Sequence, residues 1–202
     1  MARVPLIKED VSSGRLVLNV GNISITEEKF FQLCRDNRDL SMELTAQKEL
    51  IIMPPRGFMS GWGEAILSTR LMIWAEKDRT GIVVSPDTGY VLPNTAIRGP
   101  DASWIRRERL AAFSKEELER FGHFCPDFVA EIMSPSDTLA ELQRKMAEYI
   151  ANGALLGWLI DPYEARVYIY RPGKAVECLE NPTTITSDPV LPGFVFNVAE
   201  IW

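Results

Sequence analysis

Two short apolar segments with a helical pattern between them constrain the fold more than any other feature of the chain. Phe128–Met133 and Leu155–Ile160 have the length and composition of buried strands. Between them, Ser136 or Asp137 is expected to cap a helix of roughly residues 137–152. Because other strands and helices flank this unit, the pattern predicts an α/β or α+β fold built on one mixed β-sheet.

The rest of the chain supplies further helices and short strands. Helices are expected after Thr26, over about Gly61–Lys77 and within the charged surface stretch 106–122. The expected strands are Leu16–Val20 (an edge strand), Met42–Thr45, Glu49–Met53, Ile82–Ser85, Gly89–Leu92, Ile97–Ile105, Val167–Tyr170 and Ala175–Leu179. With no repeat and no Gly/Ser-rich linker, the 202 residues predict a single domain at 26–202 after an extension at 1–25.

Charge and histidine content exclude several classes of function. The net charge is −6, from 22 basic and 28 acidic residues, so a role on nucleic acid has to depend on a local basic patch. The single histidine, His123, rules out serine–histidine and cysteine–histidine catalysis and multi-histidine zinc sites. An enzyme of this composition has to use carboxylates, lysine, hydroxyls or a hard metal ion.

The spacing of the cysteines and the hydropathy of the chain indicate the cellular compartment in which the protein is expected. Cys34, Cys125 and Cys178 are widely spaced and form no CxxC motif, which is typical of reduced thiols. No stretch reaches 18 consecutive apolar residues, and the N-terminus lacks the apolar core of a signal peptide. We therefore expect a cytoplasmic protein without a membrane span.

The most informative residues are acids inside apolar strands, Asp101 and Glu131. A lone carboxylate in such a place costs several kcal/mol to desolvate, so each needs a partner. Strand alternation puts Asp127 on the same face as Glu131, and an adjacent strand carrying Asp101 would bring two or three carboxylates together. Oxygen-rich clusters without histidine suit Mg²⁺ or Mn²⁺. The alternative is that each acid caps a strand or pairs with an arginine, such as Arg98 or Arg144.

Lys145 is the candidate third element of this site. It shares a helix face with Leu142 and Tyr149 by three- and four-residue spacing. Since this helix follows the Glu131 strand directly, Lys145 could point at the carboxylates, orient a water molecule and offset charge on a phosphate. The alternative is that its ammonium extends along the helix to bulk water.

Seven short motifs follow one another in a fixed order. They are Asp87–Pro93, Pro100–Trp104, Cys125–Glu131, Ser134–Asp137, Lys145–Tyr149, Gly157–Pro162 and Val190–Phe194. In this order they resemble domain of unknown function 820, a large, mainly cyanobacterial family of candidate restriction endonucleases within the PD-(D/E)xK nuclease superfamily. The resemblance covers about residues 25–202.

The resemblance implies a restriction-endonuclease-like fold, which is a mixed β-sheet core flanked by helices. It implies that Asp101 is the motif aspartate and that Glu131 is the (D/E) carboxylate. The motif lysine is expected two residues later, where this chain has Met133, so the resemblance assigns the lysine role to Lys145 on the next helix. The departure at Met133 leaves open whether the chain is catalytically active.

Two further acids are candidates for the site. The resemblance implies that Glu64 corresponds to an extra catalytic acid on a preceding helix, and the alternative is a helix-surface acid. Asp127 shares the strand face of Glu131 and is a candidate metal ligand or a residue that supports one, or else it only begins its strand after Pro126.

The predicted function is a Mg²⁺-dependent (or Mn²⁺-dependent) endonuclease that hydrolyses phosphodiester bonds of nucleic acid, with DNA as the favoured substrate. The alternatives are a catalytically silent binding or assembly protein with the same fold, and a hydrolase for a small phosphate ester. A homodimer is expected, since C₂ dimers are the commonest soluble oligomers. The apolar residues near the C-terminus, Val195–Val198 and Ile201-Trp202, would contribute to it unless Trp202 docks onto the N-terminal extension.

Overall fold

The structure is a computed structural model that describes residues 7–10 and 14–202. Within these ranges the helices are α1 (Glu27–Asp36), α2 (Phe58–Asp78), α3 (Arg107–Leu110), α4 (Lys115–Leu118) and α5 (Leu139–Ala151). The strands are β1 (Ile7–Asp10), β2 (Arg15–Asn19), β3 (Ser41–Leu44), β4 (Glu49–Met53), β5 (Gly81–Val83), β6 (Tyr90–Val91), β7 (Ile97–Arg98), β8 (Ala102–Arg106), β9 (Phe128–Ile132), β10 (Leu156–Asp161), β11 (Arg166–Tyr170), β12 (Glu177–Glu180), β13 (Thr184–Thr186) and β14 (Val195–Asn197). No helix in this described part is long and apolar enough to cross a membrane.

A mixed six-stranded sheet flanked by helices forms the centre of the molecule, as predicted. Its order is β12-β11-β10-β9-β8-β5, and only β9 and β10 pair in parallel, with α5 as the crossover between them. On one face, Phe128 and Trp158 pack into the cluster that includes the buried side of α2. On the other face, Val129 and Leu159 pack against α5. Alternation along β9 therefore turns Glu131, two residues after Val129, towards α5.

A second six-stranded sheet, ordered β1-β2-β4-β3-β7-β6, makes the prediction of one sheet wrong. The predicted strand Ile97–Ile105 is broken at Gly99-Pro100-Asp101, so β7 lies in the second sheet and β8 in the central one. Pro100 has no N–H to donate, which prevents a continuous ladder through this point. The predicted edge strand Leu16–Val20 forms β2, which pairs with both β1 and β4 and is interior.

Two helix predictions need correction. The stretch 106–122 forms two short helices, α3 and α4, with a turn between them. Helix α5 is capped by Thr138, whose hydroxyl accepts a hydrogen bond from the Glu141 backbone N–H, and not by Ser136 or Asp137. Asp137 instead accepts hydrogen bonds from the backbone N–H and hydroxyl of Ser134 in the preceding turn.

Most of the tryptophans lie in the core, but Trp62 does not. Trp104 and Trp158 are buried, and Trp74 packs against the same cluster. Trp62 is 51% exposed on the outer side of α2.

The C-terminal apolar residues pack within the chain. Phe196 and Ile201 are buried in the central core, and the Trp202 indole N–H donates to the Pro182 carbonyl, 3.3 Å away. Within residues 7–10 and 14–202, Trp202 therefore packs against the central core of its own chain, and these C-terminal residues no longer support a dimer.

Candidate active site

A cleft of about 680 Å³ lies where the two six-stranded sheets meet. Its walls carry four of the predicted site residues, Asp101, Glu131, Lys145 and Glu64. The break between β7 and β8 supplies Asp101, β9 supplies Glu131, α5 supplies Lys145 and α2 supplies Glu64. The fold thus brings together side chains that are far apart in the sequence.

Asp101 is fixed by the turn that separates the two sheets. One carboxylate oxygen, Oδ2, accepts a hydrogen bond from the Ile132 backbone N–H at 2.7 Å. The other, Oδ1, lies 3.0 Å from Nη2 of Arg56. Burial raises the pKa of Asp101, against the opposing charges of Lys145 and Arg56. The side chain is therefore oriented by one backbone donor and keeps one oxygen on the cleft side.

Lys145 points into the protein and not to bulk water. Its Nζ lies 2.8 Å from Glu131 Oε1 and 2.8 Å from Glu43 Oε1, and only 13% of its side chain is exposed. Tyr149, one helical turn later, donates its hydroxyl hydrogen to Glu131 Oε1 at 3.1 Å. Although burial alone would lower it, the charges of Glu131 and Glu43 hold the pKa of Lys145 above its ordinary value. Lys145 is therefore a buried cation.

The pKa of Glu131 is raised as well, which for a carboxyl group favours the neutral form. Burial, followed by the charges of Asp101 and Glu43, raises the pKa of Glu131 to about 8, against the lowering effect of Lys145. A carboxylate with such a pKa gains from an additional cation nearby.

Glu64 faces the cleft and is not a surface acid. The α2 helix turns it inwards beside Asp101, where Arg56 forms an ion pair with it. Burial and the charge of Asp101 raise the pKa of Glu64 to about 8, against the opposing charge of Arg56. Glu64 therefore lines the cleft from α2, a helix that precedes Asp101 and Glu131 in the chain.

Asp127 is not brought into this group. One of its oxygens accepts a hydrogen bond from the Arg106 backbone N–H, and the other lies 3.0 Å from Nη1 of Arg109. It stands before β9 begins and four residues from Glu131, a separation of about 13 Å along an extended strand. Strand alternation places Asp127 and Glu131 on the same face, but it does not take their distance along the strand into account. The geometry matches the arginine-pairing alternative for Asp127.

Two site residues were missed by the sequence analysis, Glu43 and Arg56. Glu43 is buried, and Lys145 and Arg98 lower its pKa to about 2 although burial opposes them. It lies on the predicted strand Met42–Thr45, so the argument used for Glu131 would have found it. Arg56 lies in the loop after β4, where no local pattern marks it.

Charge in the cleft bears on whether a metal ion fits. Among residues 7–10 and 14–202, no three His, Cys, Asp or Glu side chains stand in a ready metal-binding arrangement. Seven acidic and five basic side chains line the cleft, an excess of two negative charges when all are ionised. The donors of Asp101, Glu64 and Glu131 are carboxylate oxygens, which Mg²⁺ and Mn²⁺ prefer. The donor chemistry fits such an ion, while Arg56 and Lys145 provide the positive charge in its absence.

The other reactive side chains serve structural roles. His123 is exposed and contacts Glu27 at 2.8 Å, and Ser134 donates its hydroxyl hydrogen to Asp137 at 2.6 Å. All three cysteines have free thiols.

Comparison with known proteins gives a family and a fold. The family model Uma2, described as "Putative restriction endonuclease", matches residues 27–199. A crystal structure from Anabaena variabilis, described as "a putative nuclease belonging to DUF820", has a TM-score of 0.74 at 18% sequence identity and covers 88% of this chain and 97% of its own. At this identity the likeness shows the fold alone. No curated protein matched the chain.

Proposed function

The chain belongs to the Uma2 restriction-endonuclease family, and from this we propose that it is a divalent-metal-dependent endonuclease that hydrolyses phosphodiester bonds of nucleic acid, with DNA as the favoured substrate. One observation carries the proposal. Asp101, Glu131 and Glu64 are buried together against one open cleft, with the ammonium group of Lys145 among them. Clustered carboxylates are unfavourable in a fold unless a cation compensates them, and nuclease chemistry requires such a cation.

Each residue has a role that follows from its contacts. Asp101, Glu131 and Glu64 would hold Mg²⁺ or Mn²⁺, which supplies an activated water and stabilises charge on the phosphate. Lys145 has three donors, two on carboxylates at 2.8 Å and a weak one to the Gly99 carbonyl at 3.5 Å. The weak donor is the one that can be released to a water molecule or a phosphate oxygen. Glu43 keeps the ammonium in position for this exchange.

The catalytically silent alternative is favoured by two observations. Met133 stands at the usual lysine position, and Arg56 already forms ion pairs with two of the carboxylates. In that case the cleft would bind nucleic acid or a protein partner without cleavage.

We further propose a cytoplasmic homodimer. The outer side of α2, opposite the buried Leu67 and Leu71, exposes Phe58 (84%), Trp62 (51%) and Ile73 (43%). A helix that is apolar on both sides usually has a second partner. The free thiols support a reducing compartment.

The test is a cleavage assay with supercoiled plasmid, single-stranded DNA and a small phosphodiester, each in Mg²⁺, Mn²⁺ or EDTA. We expect metal-dependent cleavage of DNA by the wild type and loss of at least a hundredfold in Glu131→Gln. Glu76→Gln, an exposed acid on α2, is the matched control and should retain full activity. Cleavage of the small ester alone would favour the phosphate-ester hydrolase. Metal-independent binding of DNA without cleavage would favour the silent protein.

A further inference from the structure

Arg56 joins three acids that come from three different elements. Its guanidinium forms ion pairs with Glu64 on α2, with Asp101 between β7 and β8, and with Asp87 in the loop between β5 and β6. The distances are 3.0 Å from Nη2 to Asp101 Oδ1, and 2.5 Å and 2.8 Å from Nη1 and Nη2 to the two oxygens of Asp87. One cation therefore occupies the space between two of the carboxylates that the proposed function assigns to the metal.

The guanidinium lies on the solvent side of this group. The Arg56 side chain is 34% exposed, whereas those of Asp101 and Glu64 are 9% and 8% exposed. Arg56 belongs to no helix or strand and is followed by Gly57, around which no atom lies within 4 Å of a Cβ position. An ion that enters from solvent therefore meets Arg56 first, and Arg56 is carried by a loop.

Asp87 offers Arg56 a fixed partner at the rim. Its backbone N–H donates to the Pro100 carbonyl at 3.4 Å, and it packs so closely on Gly99 that a Cβ there would lie 3.1 Å from the Asp87 Cα. Asp87 is itself 39% exposed. Arg56 can therefore leave Asp101 and Glu64 while its paired contact with Asp87 remains.

We propose that Arg56 is a displaceable counter-ion, which pairs with Asp101 and Glu64 before a divalent cation binds them and, when such a cation binds, turns about Asp87 to bind a phosphate group of the nucleic acid. This inference rests on the proposed function, since it requires a metal at these carboxylates. The planar fork of donors on arginine matches phosphate as well as carboxylate. Because the two ligands act on one side chain, metal and nucleic acid strengthen each other's binding by the same factor.

The first test is titration calorimetry with Mn²⁺ alone. Arg56→Gln removes the competitor, so Mn²⁺ should bind about tenfold more tightly than to the wild type, as expected for losing a charge-assisted contact. Arg70→Gln is the control, because Arg70 pairs with Glu200 at the surface and is not among the residues that line the cleft, and it should bind Mn²⁺ like the wild type. Arg56→Lys keeps a charge but not the fork, and its Mn²⁺ affinity should fall between the two.

The second test measures binding of a fluorescent DNA duplex with and without Ca²⁺. In the wild type, Ca²⁺ should strengthen binding, and in Arg56→Gln this gain should shrink about tenfold. The slope of log affinity against log salt should decrease by about one, as expected for one lost phosphate contact.

The outcomes separate the two proposals. If Arg56→Gln and Arg56→Lys both fold, as judged by urea unfolding, but bind Mn²⁺ no more tightly than the wild type does, Arg56 is a permanent brace and the inference is overturned while the metal site stands. If Arg56→Gln fails to fold, Arg56→Lys decides by the same criterion. If neither the wild type nor any variant binds Mn²⁺, the metal-dependent function fails and the inference fails with it.

Discussion

Met133 stands two residues after Glu131, where the nuclease motif has lysine, and the surrounding structure gives this departure a physical reason. Strand β9 ends at Ile132, and Met133 packs against the apolar cluster that contains the buried side of α5. A lysine at this half-buried position would lose the contacts that Met133 makes with those apolar side chains. Lys145, which reaches Glu131 from α5, brings a cation to the same carboxylate without that cost.

Removing that cation should destabilise the fold. Lys145→Met leaves Glu131 and Glu43 buried without their shared partner, and we expect a loss of about 3 kcal/mol in the free energy of unfolding, measured in urea. Lys77→Met, at an exposed position on α2, should change it by less than about 0.5 kcal/mol. Adding Glu131→Gln to Lys145→Met should restore part of the loss. A Lys145→Met protein as stable as the wild type would mean that the ammonium is solvated.

The raised pKa of Glu64 predicts how the stability of the protein in EDTA depends on pH. Its folded-state pKa of about 8 lies above its ordinary value of 4.5, because of burial and the charge of Asp101. The folded protein then binds this proton more tightly than the unfolded chain does, so the contribution of Glu64 to stability falls as pH rises from about 5 to 8. In EDTA, the unfolding temperature of Glu64→Gln should decline less over this range than that of the wild type.

The control for this pH series is Glu76→Gln, an exposed acid on the same helix, which should follow the wild type. An equally steep decline in Glu64→Gln would show that the carboxyl group of Glu64 titrates normally.

At the scale of elements, the sequence predicted the strands and helices with strong local patterns and missed the points where the chain changes sheet. Strand β9, helix α5 and strand β10 were found because burial on both faces and helical spacing are local properties. The break at Pro100 was not found, since Ala102, Trp104 and Ile105 continue the apolar run on the far side of it. Which sheet a short strand joins depends on long-range pairing that periodicity does not encode.

The cap of α5 gives a prediction at this scale. Thr138→Ala removes the hydroxyl that accepts from the Glu141 N–H and should cost about 1 kcal/mol of stability in urea unfolding. Lys145 lies almost two turns further along, beside buried Leu142 and Met146, so Mn²⁺ affinity should change by less than about twofold.

Thr138→Ser keeps a hydroxyl cap and should behave like the wild type. A Thr138→Ala protein that binds Mn²⁺ tenfold less tightly would instead mean that the first turn positions the site.

In the whole molecule, the cleft forms where the two six-stranded sheets meet. The sequence could therefore predict the site residues that local patterns mark, but not those that the packing of the sheets brings in. Asp101, Glu131 and Lys145 could be identified because each interrupts an apolar pattern in the sequence around it. Arg56 could not, because its position over the acids follows from how α2 and the second sheet pack on the central one. Asp127 was misplaced because strand parity ignores distance along the strand.

From the exposed apolar side of α2 we predict a homodimer. Light scattering at micromolar concentration should give about twice the chain mass of 22.8 kDa. Trp62→Glu places a charge in the centre of the apolar side and should give a monomer, whereas Val176→Glu, an exposed apolar position elsewhere, should leave the dimer intact. A wild-type mass near that of one chain would rule the dimer out.

The central claim is that the carboxylates of this cleft hold a divalent metal ion, and X-ray diffraction from a crystal soaked in Mn²⁺ tests it most directly. We expect an anomalous manganese peak within coordination distance of Asp101 and Glu131, with the Arg56 guanidinium moved away from Asp101 and still in contact with Asp87. A fully soaked crystal with no peak at these carboxylates, and with Arg56 still bridging Asp101 and Glu64, would contradict it.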